Sequence, residues 1–310
     1  MKLTLDNRIF RAAVVPEIGG NVISLRHIES NTPLLREPGS LQELRQTPEQ
    51  FGIPVLFPPN RIADGKFTFE GRPCRLPVNE TAFNNHLHGL AVGKPWRLTG
   101  TDDLAAELQF TFASGSPEYD GFPFAFTLTR RVELTPHGLR DSMTVTNQGR
   151  WNMPLGLGYH TTFPAPEKVR LGTAARQFEI GDRYLPTGNL TEWTDFDPRS
   201  WFDPNGRNVG FHTPAEPLKM EDGTWFSGAE LRYPSGLLRY RTDARFSFWY
   251  TWNRRGQGDF ISLEPVSWMA NALNQNDAEA AGIRILEPGG KAVFSNELVF
   301  IPKQGHDSLI

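Results

Sequence analysis

Four short stretches of the chain set titratable or hydrogen-bonding side chains among apolar or Gly/Pro-rich neighbours, where a polar group needs a partner or a purpose. The first, Gly52-Ile53-Pro54-Val55-Leu56-Phe57-Pro58-Pro59-Asn60-Arg61-Ile62, is an apolar run that ends in prolines and delivers Asn60 and Arg61. A guanidinium offers five donors in a fixed fork, suited to sugar hydroxyls or a phosphate. It suits the carbonyls of a loop equally well. The second, Asn84-Asn85-His86-Leu87-His88-Gly89, has histidines at i and i+2. On a strand they would share a face and could ligate a metal, but two ligands make a poor site and no third follows at helical spacing. Gly89 permits close approach to the backbone there.

The third stretch, Pro154-Leu155-Gly156-Leu157-Gly158-Tyr159-His160-Thr161-Thr162-Phe163, puts His160 at the end of a glycine-rich strand. Such a strand packs poorly by itself, so its glycines imply that something else comes close. Taken alone, His160 reads as a hydrogen-bonded core histidine. The fourth, Phe260-Ile261-Ser262-Leu263-Glu264-Pro265-Val266-Ser267-Trp268, carries Glu264 between an apolar run and a proline, a position expected where a strand leaves its sheet. A carboxylate there is either a paired structural charge or a catalytic one.

Strands must position these groups. Gly (29) and Pro (25) are spread through the 310 residues and leave few windows long enough for a helix. Between them the apolar residues alternate. Phe122, Phe124, Phe126 and Leu128 share one parity, and Phe246, Phe248, Tyr250 and Trp252 another, the period of a half-buried strand. Phe294, Leu298 and Phe300 do the same around Asn296. Leu104, Ala106, Leu108, Phe110 and Phe112 alternate too, so Thr101 to Phe112 reads as strand despite its Asp and Ala content. Turns are expected at Pro136-His137-Gly138, Asp222-Gly223, Pro234-Ser235-Gly236 and Pro288-Gly289-Gly290. The clearest helix covers residues 41–46, where Ser40 and Glu43 have the spacing of a capping box. Pro186 to Glu221 reads as one long irregular segment, of the kind that is often functional. No repeat or charged linker divides the chain, so a single domain over 1–310 is expected, all-β, as a sandwich or barrel-like assembly.

Composition narrows the function. Lys and Arg (32) nearly balance Asp and Glu (35), and no cluster of positive charge offers to neutralise phosphates, which disfavours nucleic acid. One cysteine, Cys74, excludes an intrachain disulfide and a thiolate metal cluster. The first residues are charged where a secretory signal would be apolar, and no uncharged stretch is long enough to span a bilayer, so the expected location is cytoplasmic and no membrane partner is expected. Aromatic residues make up 12% of the chain. Some would stack on the C–H face of a sugar, although most such rings fill cores.

In this order, the four stretches resemble the aldose 1-epimerase (galactose mutarotase-like) family. The likeness runs from Pro16-Glu17-Ile18-Gly19-Gly20 to Glu264-Pro265-Val266-Ser267 and includes Phe122-Pro123-Phe124 and Leu185-Pro186-Thr187-Gly188. It implies a large antiparallel β-sandwich, the galactose mutarotase-like supersandwich, with few short helices and a sugar on its concave face. By the same resemblance His160 matches the general acid and Glu264 the general base, while Arg61, His88 and the adjoining Asn60 hold sugar hydroxyls. No metal or organic cofactor is implied, and the partner is a small-molecule sugar. The Pro265-Val266-Ser267 continuation and Thr161-Thr162 after His160 depart from the better-known galactose mutarotases and look like a bacterial mutarotase-related branch. The family's substrate-binding aspartate has no clear counterpart, Asp222 being the nearest.

Anomer exchange needs a proton taken from the C1 hydroxyl while the ring oxygen is protonated, and one base and one acid suffice. His160 and Glu264 are therefore expected on opposite sides of one hollow. A hexose 6-phosphate epimerase would add a cationic site, for which Arg61, Lys66, Arg72, Arg75 and Lys94 are clustered in sequence. A non-catalytic sugar-binding or sugar-sensing module would not need both His160 and Glu264. A glycoside hydrolase would want paired carboxylates, where one stands out here.

Overall fold

The alternating residues beyond Phe126 form two ten-residue strands, Phe126–Thr135 and Gly138–Asn147, joined through Pro136 and His137. Phe126, Leu128, Val132 and Leu134 point inward, while Arg131 is exposed. Burying each such apolar side chain stabilises the sheet by roughly 1.5–3 kcal/mol. The computed structural model of the chain describes residues 1–113, 121–220 and 223–303. In it these two strands lie in an eight-stranded antiparallel sheet, ordered Arg97–Thr101, Ala105–Phe112, Phe126–Thr135, Gly138–Asn147, Lys291–Pro302, Gly236–Thr242, Gly228–Tyr233 and Lys168–Leu171.

The second large sheet carries the polar stretches. Its strands are β1 (Val55–Leu56), β2 (Gly158–Tyr159), β3 (Thr161–Pro164), β4 (Phe211–Pro214), β5 (Phe248–Trp252) and β6 (Phe260–Val266). They are ordered β4-β5-β6-β2-β1, with β3 also pairing with β6. The two sheets stack face to face as an antiparallel β-sandwich. Tyr240 of the first sheet hydrogen-bonds Thr161 of β3 through their hydroxyls (2.8 Å), and its ring meets Phe163 at 5.6 Å. Phe57 and Phe126 close the same interior, 4.5 Å between centroids.

A smaller four-stranded sheet, Leu3–Asp6, Phe10–Val15, Asn21–His27 and Thr32–Pro33, flanks these layers. Against it packs the helix Leu41–Gln46, through Leu44 with Val15 and Ile23. Ser40 caps that helix as the sequence predicts, its Oγ accepting from the Glu43 backbone at 3.1 Å. No helix among the described residues is long and apolar enough to cross a membrane.

Several expectations need correction. Phe122 and Phe124 precede the strand that starts at Phe126 and form a ring cluster ahead of it. Thr101 to Phe112 is two strands meeting at a turn, which leaves Leu104 exposed. Within 245–252 only Phe248–Trp252 is strand, and Trp249 and Thr251 are as buried as Phe248 and Tyr250, because both faces of β5 are covered. The stretch from Pro186 is not one loop. It holds the strands Pro186–Glu192, β4 and Leu218–Lys219. Asp222, the aspartate candidate and turn residue, lies outside the described residues.

Candidate active site

Asn60, Arg61, His88, His160 and Glu264 all line one cavity of about 770 Å³ over β4, β5 and β6. Residues distant in sequence are therefore brought together as expected, but by local devices of different kinds.

Glu264 sits inside β6 opposite Tyr250 of β5, not where the strand leaves the sheet. β6 is buried along its whole length, so this carboxylate is held among apolar neighbours, where its hydrogen bonds matter. Ser262 Oγ donates to Glu264 Oε1 at 2.9 Å. The same oxygen lies 3.1 Å from His160 Nε2. His160 falls between β2 and β3, its backbone N–H donating to the Pro54 carbonyl at 3.1 Å, and its ring lies edge-on to His88 with centroids 5.4 Å apart. The imidazole and carboxylate thus converge in one hollow, but side by side. The expectation that they face each other across it is corrected.

The glycines before His160 serve the protein's own packing. A Cβ on Gly156 would lie 2.3 Å from the Trp268 indole, and one on Gly158 2.7 Å from Val266. Gly89 behaves likewise. Its close neighbours are the backbone atoms of Phe57 and Pro58, not a ligand, and its φ of +79° suits glycine.

Asn60 and His88 both adopt left-handed backbone conformations (φ 58° and 65°). Asn60 accepts from the Arg61 N–H at Oδ1 (2.8 Å) and from the His88 N–H at its carbonyl (3.0 Å), which ties the two stretches together. The twist at His88 carries it out of the short strand Asn85–Leu87, so it does not share a face with His86. His86 instead meets the Pro77 carbonyl at 2.7 Å and does not line the cavity. Among the described residues no group of three or more His, Cys, Asp or Glu could hold a metal. Burial, then the charges of His160, Arg61 and His86, hold His88 well below the ordinary histidine range, so it is neutral, and its Nδ1 has no partner.

Sequence reasoning missed the groups that hold or flank these five. Glu80 grips Arg61 with both oxygens, at 2.9 Å to Nε and 2.7 Å to an outer nitrogen, and also accepts from Asn85. A fork held this way cannot swing, and its remaining donors stay aimed. Tyr184 lies under the guanidinium at 5.1 Å and accepts from Arg255 at the rim. Tyr250, Trp252 and His212 complete the wall. Of the basic residues clustered in sequence, only Arg61 lines this cavity. Lys66 and Arg75 line a second, more open one, and Arg72 stacks on Trp151.

The sequence of residues 1–224 matches the family model for aldose 1-epimerase. The chain belongs to the aldose 1-epimerase family. Solved structures of other proteins share this chain's fold. The chain superposes on a galactose mutarotase-like protein from Clostridium acetobutylicum with a TM-score of 0.91, at 23% identity, over 97% of this chain and 95% of that one. For a galactose 1-epimerase from Lactobacillus acidophilus NCFM the TM-score is 0.75 at 16% identity, covering 98% and 95%. An uncharacterized Escherichia coli (strain K12) protein, YphB, is 24% identical over 267 residues, 83% of this chain and 85% of its own. The family match ends before Glu264, so the 3.1 Å contact with His160 is what attaches that carboxylate to the site.

Proposed function

We propose that the chain interconverts the α and β anomers of a free aldohexose, with Glu264 as the base and His160 as the acid. The observation that carries this is their adjacency, 3.1 Å between Nε2 and Oε1, at the wall of a cavity with room for a pyranose. The two oxygens that exchange protons in mutarotation, O1 and the ring oxygen, are bonded to the same carbon. An acid and a base standing side by side can therefore serve both.

Glu264 takes the proton of the C1 hydroxyl while His160 protonates the ring oxygen, and the C1–O5 bond breaks to leave the open-chain aldehyde. Rotation about C1–C2 turns the other carbonyl face to the C5 hydroxyl. That hydroxyl returns its proton to His160 as the ring closes, and Glu264 gives its proton to O1. Each transfer group is worth roughly 10²–10⁴-fold. Arg61, fixed by Glu80, donates to sugar hydroxyls together with the Asn60 amide, and neutral His88 adds a ring nitrogen without a competing charge. Residues 1–310 then act as one galactose mutarotase-like domain, in the cytoplasm, with no metal in the mechanism.

Polarimetry of freshly dissolved α-anomers, over a panel of free and 6-phosphorylated aldoses, tests this. Acceleration of at least one free aldohexose, with higher kcat/KM than its 6-phosphate, is expected. Equilibrium binding of sugars without any acceleration would instead make the chain a sugar-binding module, and preference for the phosphate would move it to the hexose 6-phosphate epimerases.

A further inference from the structure

The register of the second sheet lines up four side chains in a row across neighbouring strands. His212 of β4 is opposite Tyr250 of β5, Tyr250 is opposite Glu264 of β6, and Glu264 contacts His160 beyond it. Residues directly opposite one another in antiparallel strands present their side chains to the same face. All four line the cavity. At about 4.8 Å per strand, His212 stands roughly 10 Å along the row from Glu264. A sugar with its C1 at Glu264 would extend its other hydroxyls in that direction.

His212 is built as a fixed acceptor. Its ring stacks on Tyr250, 3.6 Å between centroids and 12° between planes, and on Phe178 at 4.7 Å. Nδ1 lies 2.9 Å from the Trp249 carbonyl, which can only accept, so Nδ1 carries the hydrogen. Nε2 of the neutral ring then holds a lone pair, is shielded from solvent and has no partner in the protein. Burial drives the ring's pKa down to about 3, despite the carbonyl bond, so Nε2 remains unprotonated at neutral pH. A buried acceptor without a partner is costly to maintain. His86 also leaves Nε2 unpartnered, but it is not at the cavity.

We propose that His212 reads one hydroxyl of the sugar remote from C1, accepting its hydrogen bond at Nε2, and so sets specificity among aldoses. This rests on the anomer exchange proposed above. The chemical class it selects is an aldose with a free hydroxyl at that one ring position. Sugars lacking only that hydroxyl leave Nε2 unpaired and are discriminated against.

The test uses the full chain, the best aldohexose of the polarimetric panel and its 2-, 3-, 4- and 6-deoxy derivatives, with the parent protein, His212→Phe and His212→Gln. In the parent, one deoxy sugar should lose about tenfold in kcat/KM, the scale of one well-made hydrogen bond. His212→Phe keeps the stacking and removes the acceptor. It should lose about tenfold on the full hexose, mainly through KM, with no further loss on that deoxy sugar. His212→Gln restores an acceptor oxygen, and recovery of part of the discrimination supports the assignment even if the Phe variant does not fold. Equal deoxy penalties in the parent and in both variants would overturn it while leaving anomer exchange standing. Failure of the parent to accelerate any aldose would overturn the function, and the role of His212 with it.

Discussion

Two buried pairs, Arg130–Asp141 and His160–Glu264, are close in burial and unlike in where they sit, for only the second lines the cavity. Arg130 lies between the sheets, donating to Asp141 and to the carbonyls of Gly20 (2.8 Å) and Ile53 (3.1 Å), so that it staples three parts of the chain. Burial is the largest influence on the guanidinium and lowers its pKa, but Asp141's charge and hydrogen bonds, with Tyr159 and Tyr240, together hold it raised. His160 and Glu264 have each other and Ser262, with only a 3.5 Å approach from Thr162 behind the imidazole. Around them stand His88 Nδ1 and His212 Nε2, buried without partners. Unpartnered groups also stand beside Arg130 and Asp141, namely the Tyr159 hydroxyl and the Asn296 amide opposite Asp141, but none of these residues lines the cavity. That pair is architecture, whereas His160 and Glu264 stand at the cavity wall, where a substrate can meet them.

The comparison breaks most sharply under substitution. Glu264→Gln keeps the shape of the carboxylate and cannot take a proton, so mutarotation should fall by roughly 10²–10⁴-fold while the urea unfolding midpoint stays close to that of the parent. His160→Asn should do the same by polarimetry. Asp141→Ala should behave the opposite way. It leaves Arg130 charged and alone in the core, and should cost about 3–5 kcal/mol in urea unfolding while the molecules that remain folded turn over normally.

Acid should expose the cavity side of the molecule in a graded way. The unfolded chain protonates His212 below about pH 6.5, whereas the folded chain resists until about pH 3, because burial disfavours the charged ring. Stability therefore falls as the pH drops through that window, by at most roughly 1.4 kcal/mol per unit from this group. His212→Phe should flatten the slope between pH 6 and 4 in parallel urea titrations, and an unchanged slope would show that the ring is protonated in the fold. Smaller still, Glu80→Gln loosens the fork of Arg61 without touching acid or base. KM should rise by about threefold with kcat held, as expected for losing part of a half-buried ion pair that serves binding.

The same division explains what the sequence could and could not tell. Strands of the eight-stranded sheet have one covered face, so the alternation of Phe126 and Leu128 or of Ala106, Leu108 and Phe110 was readable. β5 and β6 are covered on both faces, and there periodicity says little. Trp249 is as buried as Tyr250, and Glu264 lies mid-strand although Pro265 suggested an exit. Asn60, Arg61, His88, His160 and Glu264 stood out because each is polar in apolar company. Glu80, Tyr250 and His212 did not, since their roles depend on register and on contacts between strands far apart in sequence. His212 in particular was concealed in a stretch that reads as irregular and folds as β4.

The central claim is that the adjoining imidazole and carboxylate carry both proton transfers of ring opening. Two-dimensional exchange NMR reads this directly, from the cross-peaks between the α and β anomeric protons of an aldohexose at equilibrium, recorded with the parent chain, Glu264→Gln and His160→Asn. Strong cross-peaks with the parent, reduced to the uncatalysed level in both folded variants, are predicted. Exchange that persists at the parent rate in either variant would contradict the account.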